Sequence, residues 1–290
     1  MVVCEHFLRK RPNFCAYKNE YLTHYASSIE ILVLGSSHAF FGIDPSIFSD
    51  KAFNAAFVSQ SLKYDHFIFT KFYDQMDSLR FLVMPISYFS LVTDLEGSEE
   101  DWRIKYYSIY YGCKYHRFEP KYNLMIYDAT FKEIIESVSN KNEKESSSWD
   151  LGFGRQKLEE CEGNLESTGV FAARRHTVLF DTNILAKNLF YLKDIIHKSA
   201  ERNVIVILVT TPTYKTYYDN LDAIQSNIMK NECESLSTNY DNVMYIDLMD
   251  DKRFFEQDFC DADHLNEIGA TKLTMLIQHS IDSLKFQVFP

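Results

Sequence analysis

The sequence predicts an α/β protein organised around a parallel sheet. Three observations carry that prediction: short apolar runs bounded by turn residues, their enrichment in β-branched side chains, and stretches of helical spacing between them. The first run, 29–34, reads "IEILVL" and stops at Gly35. A weaker run follows at 52–57, then 81–85 ("FLVMP"), 204–210 ("VIVILVT") and 243–248 ("VMYIDL"). Hydrophobicity this continuous marks strands covered on both faces. Between them, 61–77 carries Leu62, Phe67, Ile68 and Phe72 near helical spacing, 183–202 is amphipathic, and 267–284 supplies a closing helix. Strand and helix in that rhythm imply a three-layer α/β/α, doubly wound sheet.

The interval 94–181 breaks the rhythm. It opens acidic ("DLEGSEEDW"), continues through "YYSIYYGCKYHRF" and a possible helix at 124–137, and runs into a Ser/Lys/Glu/Asn-rich stretch at 138–148 expected to be a mobile loop. We read 1–290 as one domain and 94–181 as a cap or lid inserted within it, emerging after the third strand at the sheet edge where α/β ligand sites form. The tyrosines between 106 and 115 could offer ring faces to a sugar or simply pack the cap.

A net charge of −11 counts against a nucleic-acid binder, which needs a basic face to neutralise phosphates. Six cysteines (Cys4, Cys15, Cys113, Cys161, Cys233, Cys260) show no paired or metal-like spacing and read as reduced or buried thiols. No apolar run approaches the roughly 20 residues of a membrane helix. The first residues, "MVVCEHFLRKRPNF", are too short in apolar content for a secretory signal. The expectation is a soluble chain, cytoplasmic as written, or an envelope protein if an anchor lies upstream.

Two loops carry the chemistry. In Gly35-Ser36-Ser37-His38, glycine allows a sharp turn at the strand end and a serine follows where a helix begins. Its hydroxyl would cap the helix in an ordinary protein, or attack a substrate held by outward-pointing N–H groups. The second loop, "FCDADHLNEIGA" (259–270), places Asp261 three residues before His264, so one turn can orient the imidazole and stabilise its protonated form. An acidic helix start capped by Asn266 explains the carboxylates but not the histidine. Asp263 is the alternative orienter, although adjacent residues on a turn point apart.

Together these loops resemble the blocks of the SGNH (GDSL-like) hydrolases. The first block, Gly-x-Ser, matches Gly35-Ser36-Ser37; the last, Asp-x-x-His followed by His-x-Asn-x-x-Gly, matches Asp261–His264 and His264-Leu265-Asn266-Glu267-Ile268-Gly269. "FNAAFVSQS" (53–61) is similar to the second block, and "LGSSHAFFGIDP" to a bacterial branch among surface-polysaccharide and envelope-modifying proteins. The resemblance implies a flavodoxin-like sheet, with Ser37 as nucleophile, His264 as general base and acid, and Asp261 as orienter. It places the N–H groups of Ser37 and Ala56 in an oxyanion hole. Ser36 stands where the family has Asp. The third block, Gly-x-Asn, is replaced by "MPISYFS" (84–90), leaving Ser87 or Tyr88 to stand in for the missing donor. His38 and Tyr88 are further candidates for substrate contact.

The expected activity is a serine esterase acting on acyl esters, O-acetyl esters of carbohydrate in particular, with no metal or organic cofactor. A sugar hydroxyl in place of water would make it an O-acetyltransferase. The rival from another class is a silent module of the same fold that binds glycan or protein. A nucleotide binder using "GSSH" lacks the glycine-rich cradle and lysine of a phosphate loop. Oligomeric state is not legible.

Overall fold

The computed structural model describes residues 2–114, 118–138, 149–161 and 163–288, with side chains as far as 285. The elements run α1 (Val2–Arg9), α2 (Phe14–Tyr25), β1 (Ile31–Val33), α3 (Ser37–Gly42), β2 (Ala52–Asn54), α4 (Leu62–Phe72), β3 (Phe81–Pro85), α5 (Phe131–Val138), α6 (Leu165–His176), α7 (Thr182–Glu201), β4 (Ile205–Thr210), α8 (Ala223–Asn239), β5 (Val243–Asp247) and α9 (Glu267–Val288), with shorter helical turns between them. The chain divides into two compact units, Met1–Ala26 with Leu95–Trp149, and Ser27–Asp94 with Asp150–Pro290. The interval expected as a single insertion is thus shared: its first part joins the N-terminal helices, while 150–181 packs with the sheet.

The larger unit is a five-stranded, all-parallel sheet in the order β2-β1-β3-β4-β5. Every residue of β1 to β4 is buried, as their unbroken apolar runs require, whereas the edge strand β5 is only partly covered. Helix α3 packs on α9, and α4 on α7. Right-handed crossovers put these pairs on opposite faces, because the strand order reverses at β1. Carboxylates cap the starts of α7 and α8: Asp181 accepts the N–H of Asn183 (2.8 Å), and Asp222 that of Gln225 (2.9 Å). Helices α1, α2, α6 and α8 were not singled out from the sequence. In α8 the buried positions are Gln225, Met229, Cys233 and Leu236, a stripe too mixed to stand out by hydrophobicity.

In the smaller unit, Tyr107 and Tyr111 of the tyrosine run are buried, and Trp149 stacks on Phe14 with ring centroids 5.1 Å apart. These two tyrosines serve packing. A cavity of about 390 Å³, lined by Arg11, Trp102, Lys105 and Tyr106 among others, opens in this unit. The Lys105 ammonium is already spent on both oxygens of Asp128, at 2.5 Å each. The loop expected at 138–148 lies, beyond Val138, outside the described residues.

One expectation is overturned. Cys161 and Cys260, 99 residues apart, form a disulfide with Cα atoms 4.7 Å apart; Cys4, Cys15, Cys113 and Cys233 lie outside it. Sequence spacing gave no hint of the pair because only the fold brings the two segments together.

After β1 the chain turns at Gly35, whose φ of +125° disfavours any side chain. A Cβ there would also sit 3.1 Å from Ala39 Cβ and 3.3 Å from the Pro85 carbonyl. The turn is held by Asp65 from α4: the Gly35 N–H (2.8 Å) and the Gln60 amide (2.7 Å) both donate to Oδ1. Burial outweighs these donors and pushes the Asp65 carboxyl up to about 7. An unfolded carboxyl titrates near about 4, so between these values only the unfolded chain ionises, and stability falls as pH rises. Replacing Asp65 by Asn should remove that loss, worth on the order of a few kcal/mol. Thermal melts from pH 4 to 7 should show the wild type losing Tm relative to Asp65→Asn; parallel curves would sink the assignment.

Candidate active site

The site forms where the turn after β1 meets the segment after β5. Ser36 occupies the N-cap position of α3 and Ser37 its first turn, with no side-chain cap bond at Ser36. Ser37 Oγ lies 2.8 Å from Nε2 of His264. On the other side of that ring, Nδ1 is 2.9 and 3.0 Å from the two oxygens of Asp261. Since the carboxylate can only accept, Nδ1 carries the proton, and Nε2 accepts from the Ser37 hydroxyl. Ser37, His264 and Asp261 therefore stand in one hydrogen-bonded line.

The 261–264 turn is built by its own polar groups. Asp261 Oδ1 accepts the N–H of Asp263 (3.1 Å) and of His264 (2.8 Å), and the Cys260 N–H donates to the His264 carbonyl (2.9 Å). Asn266 is buried, donates to the carbonyls of Gln257 and Phe259, and caps α9 by accepting from Ile268 and Gly269. Gly269 is required by contact: a Cβ there would fall 2.2 Å from the Asp258 carbonyl. The His-x-Asn-x-x-Gly spacing is thus a cap plus a close helix approach. The segment from the end of β4, 210–218 ("TTPTYKTYY"), contributes as well, since Tyr214 N–H donates to the Ala262 carbonyl (2.8 Å).

A second carboxylate, Asp263, is buried among three imidazoles. It lies 3.4 Å from Nε2 of His38, 3.7 Å from Nδ1 of His264 and 3.8 Å from Nδ1 of His176. His38 is held down by burial, so Nε2–H faces Asp263 and Nδ1 accepts from the Ser87 hydroxyl (2.8 Å). Burial likewise brings His176 to about 3. Arg175 can only donate to its Nε2 (3.3 Å), which leaves Nδ1–H for the Tyr217 hydroxyl (2.9 Å). His264 behaves oppositely: burial pulls it down, but Asp263 and then Asp261 raise it above the usual histidine value. Asp261 is nearer, yet its side chain is 35% exposed against 3% for Asp263, so water screens it more. Asp263 itself lies well below the carboxylate range: burial opposes this, but His264 and His38 outweigh it.

The remaining expected residues are placed otherwise. The Ala56 N–H, expected in the oxyanion hole, donates to Asn54 Oδ1 within its own loop (3.0 Å). The Ser87 hydroxyl proton goes to His38, and its oxygen sits 3.3 Å from Ser36 Oγ, so it does not replace the missing donor. Tyr88 is buried; its hydroxyl bonds Thr177 Oγ1 (2.8 Å) and the Asp222 N–H (3.0 Å), a packing role rather than a substrate contact. His38, expected as a substrate contact, is buried with its Nε2 against Asp263. Among the described residues, nothing accepts from the Ser37 N–H.

His38, Asp263 and His264 are, among the described residues, a group whose donor atoms lie close enough for a metal, all within 4.8 Å. Those atoms are matched to one another, to Ser87 and to Asp261. A metal would have to take a His264 nitrogen from Asp261 or Ser37, so we read the set as a hydrogen-bonded network.

The fold and this line of groups define a doubly wound α/β protein with a serine, histidine and carboxylate in contact. No family model and no curated protein matches the chain. Solved structures to which it is similar include a provisionally named acylhydrolase from Bacteroides fragilis (10% identity, 93% of this chain and 97% of that one, TM-score 0.47). Another is a GDSL-like lipase from Bacteroides thetaiotaomicron (8% identity, 94% and 100%, TM-score 0.44). Likeness at this distance transfers no residue role to this chain.

If Asp263 is the charge that holds His264 up, Asp263→Asn lowers the imidazole pKa. A base must be neutral to act, so the acid limb of the kcat/KM–pH profile should move to lower pH. An unmoved limb would leave Asp261 alone responsible.

Proposed function

We propose that the protein is a serine hydrolase of SGNH type acting on ester bonds. The observation that carries this is the 2.8 Å contact of Ser37 Oγ with His264, continued at 2.9 Å to Asp261. Ser37 gives its proton to His264 Nε2 and attacks the ester carbonyl; Asp261 holds the ring's tautomer, and Asp263 adds negative charge as the imidazolium forms. The Ser37 N–H faces the developing oxyanion at the start of α3. His264 then protonates the leaving alcohol, and water resolves the acyl-enzyme. Acyl esters of carbohydrate, O-acetyl groups in particular, are the substrate class the "LGSSHAFFGIDP" resemblance favours; a sugar hydroxyl as acceptor would give an O-acetyltransferase.

A second reading has its own support. With the Ala56 N–H and the Ser87 hydroxyl spent elsewhere, one expected oxyanion donor remains, and a lost donor costs about 10²–10³ in rate. That favours a weak enzyme or a silent binding module.

An activated acetyl ester and a fluorophosphonate probe separate these readings. The wild type should turn over the ester and be labelled, and Ser37→Ala should lose about 10³-fold or more of the activity together with the label. Equal rates in the two proteins overturn the enzymatic reading; an unlabelled, inactive wild type supports the silent module.

A further inference from the structure

The disulfide missed by cysteine spacing sits at the root of the site. Cys260 directly precedes Asp261, and its partner Cys161 lies in the segment that leads into α6. That segment and the first turn of α6 fasten the 261–264 turn and the start of α9 at three points. The disulfide secures the start of the turn, the Ala262 N–H donates to Thr168 Oγ1 (3.2 Å), and the Glu267 N–H donates to the Gln156 carbonyl (2.8 Å).

The members of the triad depend on these fastenings unequally. His264 is packed between Phe41 and His38, with ring centroids 5.5 and 5.2 Å away. Asp261 has no such support: among the described residues, all its hydrogen bonds go to its own turn, namely to the N–H groups of Asp263 and His264 and to the His264 ring. A partly exposed carboxylate held only by its own turn keeps its aim only if the turn's ends are fixed. The Cys260 end has a backbone bond to the His264 carbonyl, which is internal to the turn, and the covalent link to Cys161.

We propose that the Cys161–Cys260 disulfide is a positioning device for Asp261, so that catalysis, on the hydrolase reading above, depends on the bond being oxidised. A dithiol reductant donates two electrons and two protons, its own sulfurs becoming a disulfide, and leaves two thiols at Cys161 and Cys260. Asp261 then loses its fixed direction while the fold of the sheet remains. Such a bond suits an oxidising compartment.

The groups facing His264 are Asp261 and Asp263 from its own turn, Ser37 and His38 from α3, and Arg175 and His176 from α6. Loss of Asp261 alone from this set lowers the imidazole pKa. The full chain, oxidised and after dithiothreitol, is compared with Cys161→Ser, with thiols counted in denaturant (four free oxidised, from the cysteines outside the bond). The reduced protein and Cys161→Ser should both lose about 10- to 10³-fold in kcat with KM little changed. Their acid limb should move to lower pH, and reoxidation should rescue the wild type alone.

A loss that tracks only the folded fraction in thermal melts, with an unmoved limb, would make the bond merely structural and overturn the proposal. So would equal activity with six thiols counted. The His264 ring proton is also titrated by NMR in both redox states, a readout that needs no turnover. If the wild type proves inactive, the hydrolase reading falls, and a redox-insensitive His264 titration still overturns the positioning role on its own.

Discussion

A single hydrogen bond, Ser37 Oγ to His264 Nε2, ties together residues 227 positions apart, and the local order around it serves to hold that distance. It depends on the docking of α3 against α9. Gly42 faces Leu273 and Leu265 across the helix contact, and the Asp44 N–H donates to Thr274 Oγ1 (3.0 Å). Further along, the Ser49 N–H meets Gln278 and Asp50 pairs with Lys285. These contacts fix α9, and the turn that leads into it carries His264. On the opposite side the Gly35 turn is fixed by Asp65, from a helix on the other face of the sheet. The nucleophile candidate is thus braced through both layers.

Electrostatics complete the arrangement. A buried carboxylate is costly unless a cation or donors compensate it. Asp263 is ringed by imidazoles, but His38 and His176 are kept neutral by burial, and their tautomers are set by Ser87 and Arg175. The proton that satisfies Asp263 best is therefore one on His264. A network of this kind favours the state in which His264 has just accepted a proton, which is the state acyl transfer needs.

Much of this was legible in the chain. The strands at 81–85 and 204–210 and the helices at 183–202 and 267–284 follow from apolar runs and end residues, because a doubly covered strand has few other ways to look. The Gly-x-Ser and Asp-x-x-His spacings were also legible, since each is a local turn whose geometry its own residues set. The bonding of the residues around those turns was not. Ala56, Ser87 and Tyr88 read as available from their positions in the chain, yet each has its polar group matched to a partner distant in sequence or within its own turn. Asp65 carried no distinguishing signal, because an acidic residue in a helix is ordinary until burial makes it matter, and Asp263, read only as the alternative orienter, gave no sign of its burial among three imidazoles.

The sequence by itself determined the sheet, the order of its layers and the two turns that carry Ser37, Asp261 and His264, because periodicity and turn chemistry act over a few residues. Only the tertiary structure decided which donors remain open to a substrate, that Cys161 and Cys260 are paired, and that a second carboxylate raises His264. Those outcomes depend on distances between residues far apart in sequence and on how much water each group retains, and neither quantity is written into local spacing.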